Sequence, residues 1–447
     1  MPDSNPHHQA LVSGIAERTA RVTTLGLGYV GLPLALTINE AGFPVLGFDL
    51  NAARVDRINA GEKVISYFEE DRIANAVGGG RFGATADPAK LAEADILLIC
   101  VPTPLGPDRT PDLSYVIRAG EEIARWLRPG QLIALESTVW PGATRELLCP
   151  ILERGGLKAG VDFFLGFSPE REDPGNAVHT TKSIPKLVGA DDALSLELLE
   201  SFYSCIVSKA VPLNSTAAAE AAKLVENTFR NVNIALANEL KIALGAMGVD
   251  VWDVIEGAST KPFGFMPFYP GPGIGGDCIP VSPAYLGWRA LDVGSDMPLV
   301  RLGREINEGE PHRIAGRIAD ILTGRGTPID TAKILLLGIA YKKDIEDSRE
   351  SPALTLLGAL EAKGAAVAYH DPYFPEMPLT RDHAALAGRR SVPVDAGIAD
   401  YDLVVIATDH SAVDYGLVAE KARFIVDTRN VLAKAGIPAP AGRFVKL

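Results

Sequence analysis

An α/β protein made of two doubly wound halves joined by a long helical segment is what the sequence predicts, on three observations. Apolar runs of strand length alternate with helical stretches in the first and last thirds of the 447 residues. That is the pattern of parallel sheets covered on both faces. A glycine fingerprint, Gly26-Leu27-Gly28-Tyr29-Val30-Gly31, follows the first such run. In the middle, residues 216–247 are rich in Ala, Leu, Glu, Lys and Asn, with no Pro and one late Gly. They read as one long helix with Asn214, Ser215 or Thr216 as N-cap.

In chain order, residues 1–20 carry His, Asp, Glu and Arg without a long apolar core. They are expected to be a disordered lead-in and not a signal peptide. Residues 22–25 form a strand that runs into the glycine loop, and a helix follows over 32–41. Residues 45–48 form a second strand ending at Asp49. Further strands are expected at 96–101, 132–135 and 163–167, completing a domain over 21–212. A helical segment over 213–312 includes more helix between Ala284 and Glu308. The last domain, 313–447, opens with a buried strand at 334–340. A helix at 352–363 is opened by Pro352 and closed by Gly364. Strands at 366–369, 403–407 and 424–427 complete it.

Composition narrows the function. With 47% apolar and 22% charged residues the chain has material for several cores. A net charge of −13 argues against a broad nucleic-acid surface but allows a local basic pocket for phosphates. No apolar run reaches the roughly 20 residues of a membrane span, so no membrane partner is expected. Cys100, Cys149, Cys205 and Cys278 have no CxxC spacing, which fits a cytoplasmic protein without a metal site. His179, His312, His370 and His410 are scattered and receive no role.

The glycine fingerprint sits after a strand, opens a helix, and is followed by an acid at the end of the next strand. This is the Rossmann-like context for a dinucleotide. Gly26, Gly28, Tyr29, Val30 and Gly31 are expected at the pyrophosphate, and Asp49 at the adenosine ribose. Asp49 would repel a 2′-phosphate, so NAD is favoured over NADP, with Arg54 the nearby group able to receive that phosphate. A second glycine-rich run, Gly271-Pro272-Gly273-Ile274-Gly275-Gly276-Asp277, ends at Cys278. Interconverting an alcohol and a carbonyl needs no thiol, whereas going on to the acid benefits from a nucleophile that holds the aldehyde. The pairing points to a four-electron oxidation of an alcohol to a carboxylate.

Set beside these motifs are Val101-Pro102-Thr103-Pro104, Glu136-Ser137-Thr138-Val139, Phe167-Ser168-Pro169-Glu170-Arg171, and Ala222-Lys223-Leu224-Val225-Glu226-Asn227. Gly338-Ile339-Ala340-Tyr341-Lys342-Lys343-Asp344 and Asp347-Ser348-Arg349-Glu350-Ser351-Pro352 follow. In this order and spacing, from residue 20 onward, the chain resembles the UDP-glucose/GDP-mannose dehydrogenase family. The resemblance implies NAD-dependent oxidation of a nucleotide-linked hexose at C6. The aldehyde is captured by a cysteine as a thiohemiacetal, oxidised to a thioester and hydrolysed to the uronic acid. The matching positions are Cys278 as nucleophile and Lys223 as the cation beside the developing oxyanion, with Asn227 four residues on. Glu170 and Thr138 would assist proton movement and hold the attacking water. Thr103, Thr138 and Arg349 match cofactor-side positions. Lys342 matches a position near the substrate diphosphate, and Phe268, Tyr269 and Gly275 would shape the sugar pocket together with Glu170, Lys223 and Asn227. A homodimer or higher homo-oligomer is also implied.

Two departures stand out. Asp277 replaces the His usual before the nucleophile, and Ser282 replaces an Asp four residues after it. Residues 261–270 resemble the branch that oxidises UDP-N-acetylhexosamines, while the departures leave room for another substrate such as a dTDP-hexose. The competing readings are a two-electron dehydrogenase of the 6-phosphogluconate or 3-hydroxyacid type and a non-catalytic nucleotide-sugar or NAD binding protein. Cys278 and the second α/β half oppose the first. Retention of Cys278, Lys223 and Asn227 opposes the second.

Overall fold

The computed structural model of the chain describes residues 5–65, 71–171, 182–276 and 279–447. By contacts the chain divides into two compact units, Met1–Glu226 with Ala284–Ser295, and Asn227–Pro283 with Asp296–Leu447.

The first unit is built on an 8-stranded sheet: β1 (Val22–Leu25), β2 (Val45–Phe48), β3 (Phe82–Thr85), β4 (Ile96–Ile99), β5 (Leu132–Leu135), β6 (Phe164–Phe167), β7 (Lys186–Ala190) and β8 (Ala210–Leu213). Their spatial order is β3-β2-β1-β4-β5-β6-β7-β8. The pairs from β3 to β6 are parallel, β6 meets β7 antiparallel, and β7 meets β8 parallel. The first six strands follow the doubly wound order whose reversal between β1 and β4 opens a crevice at the carboxyl ends. β1, β4, β5 and β6 are buried at every position, which is why they read as continuous apolar runs and not as alternation. The helices of this part are α1 (Pro6–Ala16), α2 (Gly31–Glu40), α3 (Ala52–Asn59), α4 (Arg72–Gly78), α5 (Ser114–Trp126), α6 (Cys149–Leu152) and α7 (Ala193–Ser204).

The helices that follow are α8 (Thr216–Ala246), α9 (Val251–Ser259), α10 (Val281–Asp292) and α11 (Pro298–Gly324). The boundary between units falls within α8 and again within α10. Ser215 caps α8 through a bond from Ala218 N at 3.1 Å. α11 continues through residue 312, with Pro311 inside it. The second unit's 5-stranded sheet holds β9 (Lys333–Leu337), β10 (Ala366–His370), β11 (Leu403–Ile406), β12 (Ile425–Asp427) and β13 (Phe444–Lys446), in order β10-β9-β11-β12-β13 with parallel pairings. It too is doubly wound, with its reversal between β9 and β11. Its later helices are α12 (Pro352–Glu361), α13 (Tyr415–Lys421) and α14 (Val431–Lys434).

One expectation is corrected. The disordered lead-in does not hold for residues 6–16, which form α1. Asn5 caps it by accepting from His7 N and His8 N, and Pro6 opens it. His8, Leu11 and Ile15 recur at helical spacing and are buried, with Leu11 and Ile15 in the same core as Phe43, Leu198 and Phe202. The apolar stripe is only three residues wide, and its value lies in the tertiary surface it covers.

Candidate functional site

The dinucleotide loop leaves β1 at Gly26, which takes φ +90°. A Cβ on Gly31 would fall 1.9 Å from Gly26 O and 3.0 Å from Cys100 Cβ, so α2 packs against the loop only because glycine stands there. A Cβ on Gly28 would meet nothing within 4 Å, which leaves that stretch of main chain open to a ligand. Asp49 accepts from Leu27 N and Asn51 N, each at 2.9 Å. It thereby joins the loop to the end of β2 while its carboxylate keeps lone pairs for a ribose. Arg54 lies 3.7 Å from the same carboxylate. Tyr29 is 39% exposed beside the loop and Val30 is partly buried. Thr103 accepts at its carbonyl from Tyr285 Oη at 3.0 Å. The donor set and the open main chain fit a dinucleotide without a 2′-phosphate.

In the same unit, Glu170 follows β6, Thr138 follows β5, and Lys223 stands on α8. Lys223 is 7% exposed, and its ammonium donates to Glu170 O. Arg171 reinforces this by forking onto Glu226 of α8, with NH2 to Oε1 at 2.6 Å. Glu220, one turn before Lys223, accepts from Gly142 N at 2.5 Å and from Thr144 N and Oγ1 at 2.8 and 2.6 Å. Burial pushes the Glu220 carboxyl up. α8 is therefore bonded both to the segment after β6 and to the segment after β5 that carries Thr138.

In the second unit, Asn227 is 1% exposed. It donates from Nδ2 to Ser282 Oγ at 2.8 Å and accepts from Arg230. The departure at Ser282 thus has a defined partner. Cys278 and Asp277 lie outside the described residues. At Gly275 and Gly276 the close neighbour is the protein itself. A Cβ on Gly275 would sit 2.5 Å from Tyr341 Cβ and 2.7 Å from Glu350 O. Gly276 N donates to Arg349 O at 3.0 Å.

Of the residues expected at the substrate, Phe268 packs edge-on against Phe229 at 5.6 Å. Tyr269 stacks on Trp252 at 5.2 Å, donates to Glu256 Oε1 at 2.7 Å, and lies under the Lys434 ammonium. Lys342 is partly buried on the loop after β9. Arg349 forks onto Asp347, with Nε to Oδ1 at 2.9 Å and NH2 to Oδ2 at 2.5 Å, so an arriving anion would share its charge with that carboxylate.

Two clusters escaped the sequence reading. Behind Glu170, Lys186 at the start of β7 donates to Glu136 Oε2 at 2.6 Å and lies 3.6 Å from Glu170 Oε2. Tyr203 of α7 donates to the other Glu136 oxygen. Burial alone would drive Lys186 down, but the Glu136 and Glu170 carboxylates reverse this and hold it above the usual lysine range. In the second unit, His410 is fully buried. Its Nδ1 accepts from Asp344 N at 3.0 Å, so the proton sits on Nε2, which faces Asp371 Oδ2 at 3.1 Å. Asp371 Oδ2 also accepts from Ile339 N and Ala340 N at 2.7 and 3.2 Å. Both ends of the 338–344 loop are thus pinned. No sequence spacing joins residues 344, 371 and 410. Among the described residues no group of three or more His, Cys, Asp or Glu is placed to hold a metal ion.

Comparison with known proteins gives matches along most of the chain. Residues 20–207, 217–309 and 335–434 match, respectively, the NAD binding domain, the central domain and the UDP binding domain of the UDP-glucose/GDP-mannose dehydrogenase family. A UDP-N-acetyl-D-glucosamine 6-dehydrogenase of Pseudomonas aeruginosa is 36% identical over 355 residues, covering 79% of this chain and 83% of that protein. A UDP-N-acetyl-D-mannosamine dehydrogenase of Pyrococcus horikoshii is 34% identical over 418 residues, covering 92% and 96%. The solved structure of UDP-D-ManNAc dehydrogenase from Pyrococcus horikoshii aligns with a TM-score of 0.85 at 34% identity, covering 95% of this chain and 98% of that one.

Proposed function

The chain belongs to the UDP-glucose/GDP-mannose dehydrogenase family, and from that premise we propose that it oxidises a UDP-linked N-acetylhexosamine at C6 to the uronic acid through a covalent intermediate on Cys278. The coarser part needs no proposal: it is an NAD-dependent nucleotide-sugar dehydrogenase. The observation that carries the chemical reading is the nearly buried Lys223 ammonium on the main chain of Glu170, in the unit that holds the dinucleotide loop. The N-acetyl group follows from the named activities of the two relatives.

NAD, when bound, supplies the hydride acceptor for both oxidations. The chain's own residues do the rest. Glu170 and Thr138 hold and move the proton that leaves the C6 hydroxyl. The Cys278 thiol gives up its proton to solvent and adds as the thiolate to the C6 aldehyde, forming a carbon–sulfur bond as the carbonyl π bond becomes an alkoxide. An aldehyde lacks the oxyanion that drives out a second hydride, and this addition provides it. The second oxidation leaves a thioester on Cys278. Water, oriented by Glu170 and Thr138, cleaves it to the carboxylate and the free thiol. Lys223 and Asn227 stabilise the oxyanions in both covalent steps. Lys342 and Arg349 face phosphate groups. The chain works in the cytoplasm as a homodimer through α8, whose Phe229, Leu236 and Leu240 are 47%, 50% and 38% exposed on one face. Among the described residues no helix is long and apolar enough to cross a membrane.

The test is NADH released per sugar consumed, across UDP-GlcNAc, UDP-ManNAc, UDP-glucose and dTDP-glucose. Two NADH with a UDP-N-acetylhexosamine as best substrate is the expected result. One NADH would mean a two-electron enzyme. A dTDP-hexose as best substrate would reassign the pocket and make the Asp277 and Ser282 departures its signature.

A further inference from the structure

The Glu136–Lys186 pair lies beneath the segment that carries Glu170. Its side chains are 0% and 4% exposed. Taking two ions out of water is costly, and a pair of apolar residues of similar size would fill the same space without that cost. Tyr203 is fully buried, satisfies the second Glu136 oxygen, and lies with its ring under the ammonium at 5.4 Å. Cys100, at the end of β4, lines the same space, and burial pushes its thiol well up. The charged and titratable groups facing Lys186 are thus Glu136, Glu170, Tyr203 and Cys100, from four separate elements or their ends. Of these only Glu170 reaches solvent appreciably, with a side chain 14% exposed and 3.6 Å from the ammonium.

We propose that Lys186 is a positioning residue for Glu170: clamped by Glu136 and Tyr203, its ammonium fixes the Glu170 carboxylate from behind while the Lys223 ammonium and Arg171 fix the main chain on either side. The anchors are complementary. Lys223 takes the Glu170 carbonyl, Arg171 N donates to Glu170 Oε1 at 2.6 Å, and Lys186 addresses Oε2. Both carboxylate oxygens therefore have a cationic or N–H partner, the cation standing on the sheet at the start of β7. The inference rests on Glu170 taking part in proton movement.

The experiment is a double-mutant cycle on turnover with Lys186→Met, Glu170→Gln and the combination. Lys186→Met should lower kcat by roughly tenfold or more, a part of the ~100-fold or larger factor that one acid–base group contributes, with the KM values for NAD and sugar little changed. The combination should be no slower than Glu170→Gln alone, because a residue that acts through Glu170 has nothing left to act on. Losses that multiply would overturn the proposal and make Lys186 an independent structural residue. If Lys186→Met does not fold, Lys186→Met with Glu136→Leu removes the stranded carboxylate. That variant should fold and still be slow, and wild-type turnover in it would equally overturn the proposal. A slow Glu170→Gln beside a fast Lys186→Met sinks the positioning role alone. A fast Glu170→Gln sinks the reading of Glu170 itself and the proposal with it.

Discussion

At the scale of single residues, Cys278, Lys223 and Asp49 call for different measurements. Cys278→Ala should lower acid formation by at least ~100-fold while NAD still binds, because the covalent path is lost and the dinucleotide loop is untouched. Near-normal acid production would remove the thioester from the mechanism. Lys223→Ala should slow turnover by roughly two orders of magnitude, the scale of one lost oxyanion donor. It should also let a sugar adduct accumulate on Cys278, visible as a mass increase of the intact protein. A change confined to KM would make Lys223 a binding residue. Asp49→Ala should narrow the preference for NAD over NADP. It should also loosen the loop, since Asp49 holds Leu27 N, so a fall in NAD affinity is expected together with the change in selectivity.

At the scale of elements, α1 and the loop after β9 are both held from a distance. Leu11 is 5% exposed and Ile15 2%, so Leu11→Ala should cost about 2 kcal/mol or more of stability, as for other buried leucines. Thermal unfolding would register it, and turnover at 25 °C should be unchanged. His410→Phe should free the 338–344 loop and raise the KM for the nucleotide sugar roughly tenfold, equivalent to about 1.4 kcal/mol, with kcat retained. The same cluster sets a pH dependence. Burial alone would raise the Asp371 carboxyl, but bonds from His410 and from main-chain N–H groups outweigh it and hold it below the ordinary range. A carboxyl lowered in the fold stabilises it above the unfolded value and loses that contribution as pH falls through the folded value. Acidification below about pH 4, the unfolded aspartate range, should therefore destabilise the wild type more steeply than His410→Phe, as followed by unfolding temperature against pH.

At the scale of the whole molecule, the exposed face of α8 makes the oligomer testable. Light scattering after gel filtration should give a dimer. Leu236→Glu with Leu240→Glu should give a monomer, because two carboxylates would then face the partner's apolar stripe. A monomeric wild type would leave those residues to another partner.

The sequence by itself determined the alternation of buried strands and helices, the dinucleotide loop, the long helix α8 and the family. Each is written in local spacing: continuous apolar runs where both sheet faces are covered, glycines where main chain must approach main chain, an uninterrupted helical composition from residue 216. Glu170, Lys223, Asn227 and Thr138 could be named as candidates because they stand inside such local motifs. Tertiary structure alone decided what holds them. α1 looked like a polar tail, since three buried residues in eleven mean nothing until a surface exists for them to cover. Glu136 follows β5, and Lys186 and Tyr203 come from β7 and α7. Asp344, Asp371 and His410 come from three loop ends. A buried charge is tolerated only where its partner is already in place, and that partner is chosen by the packing of the sheet, not by distance along the chain.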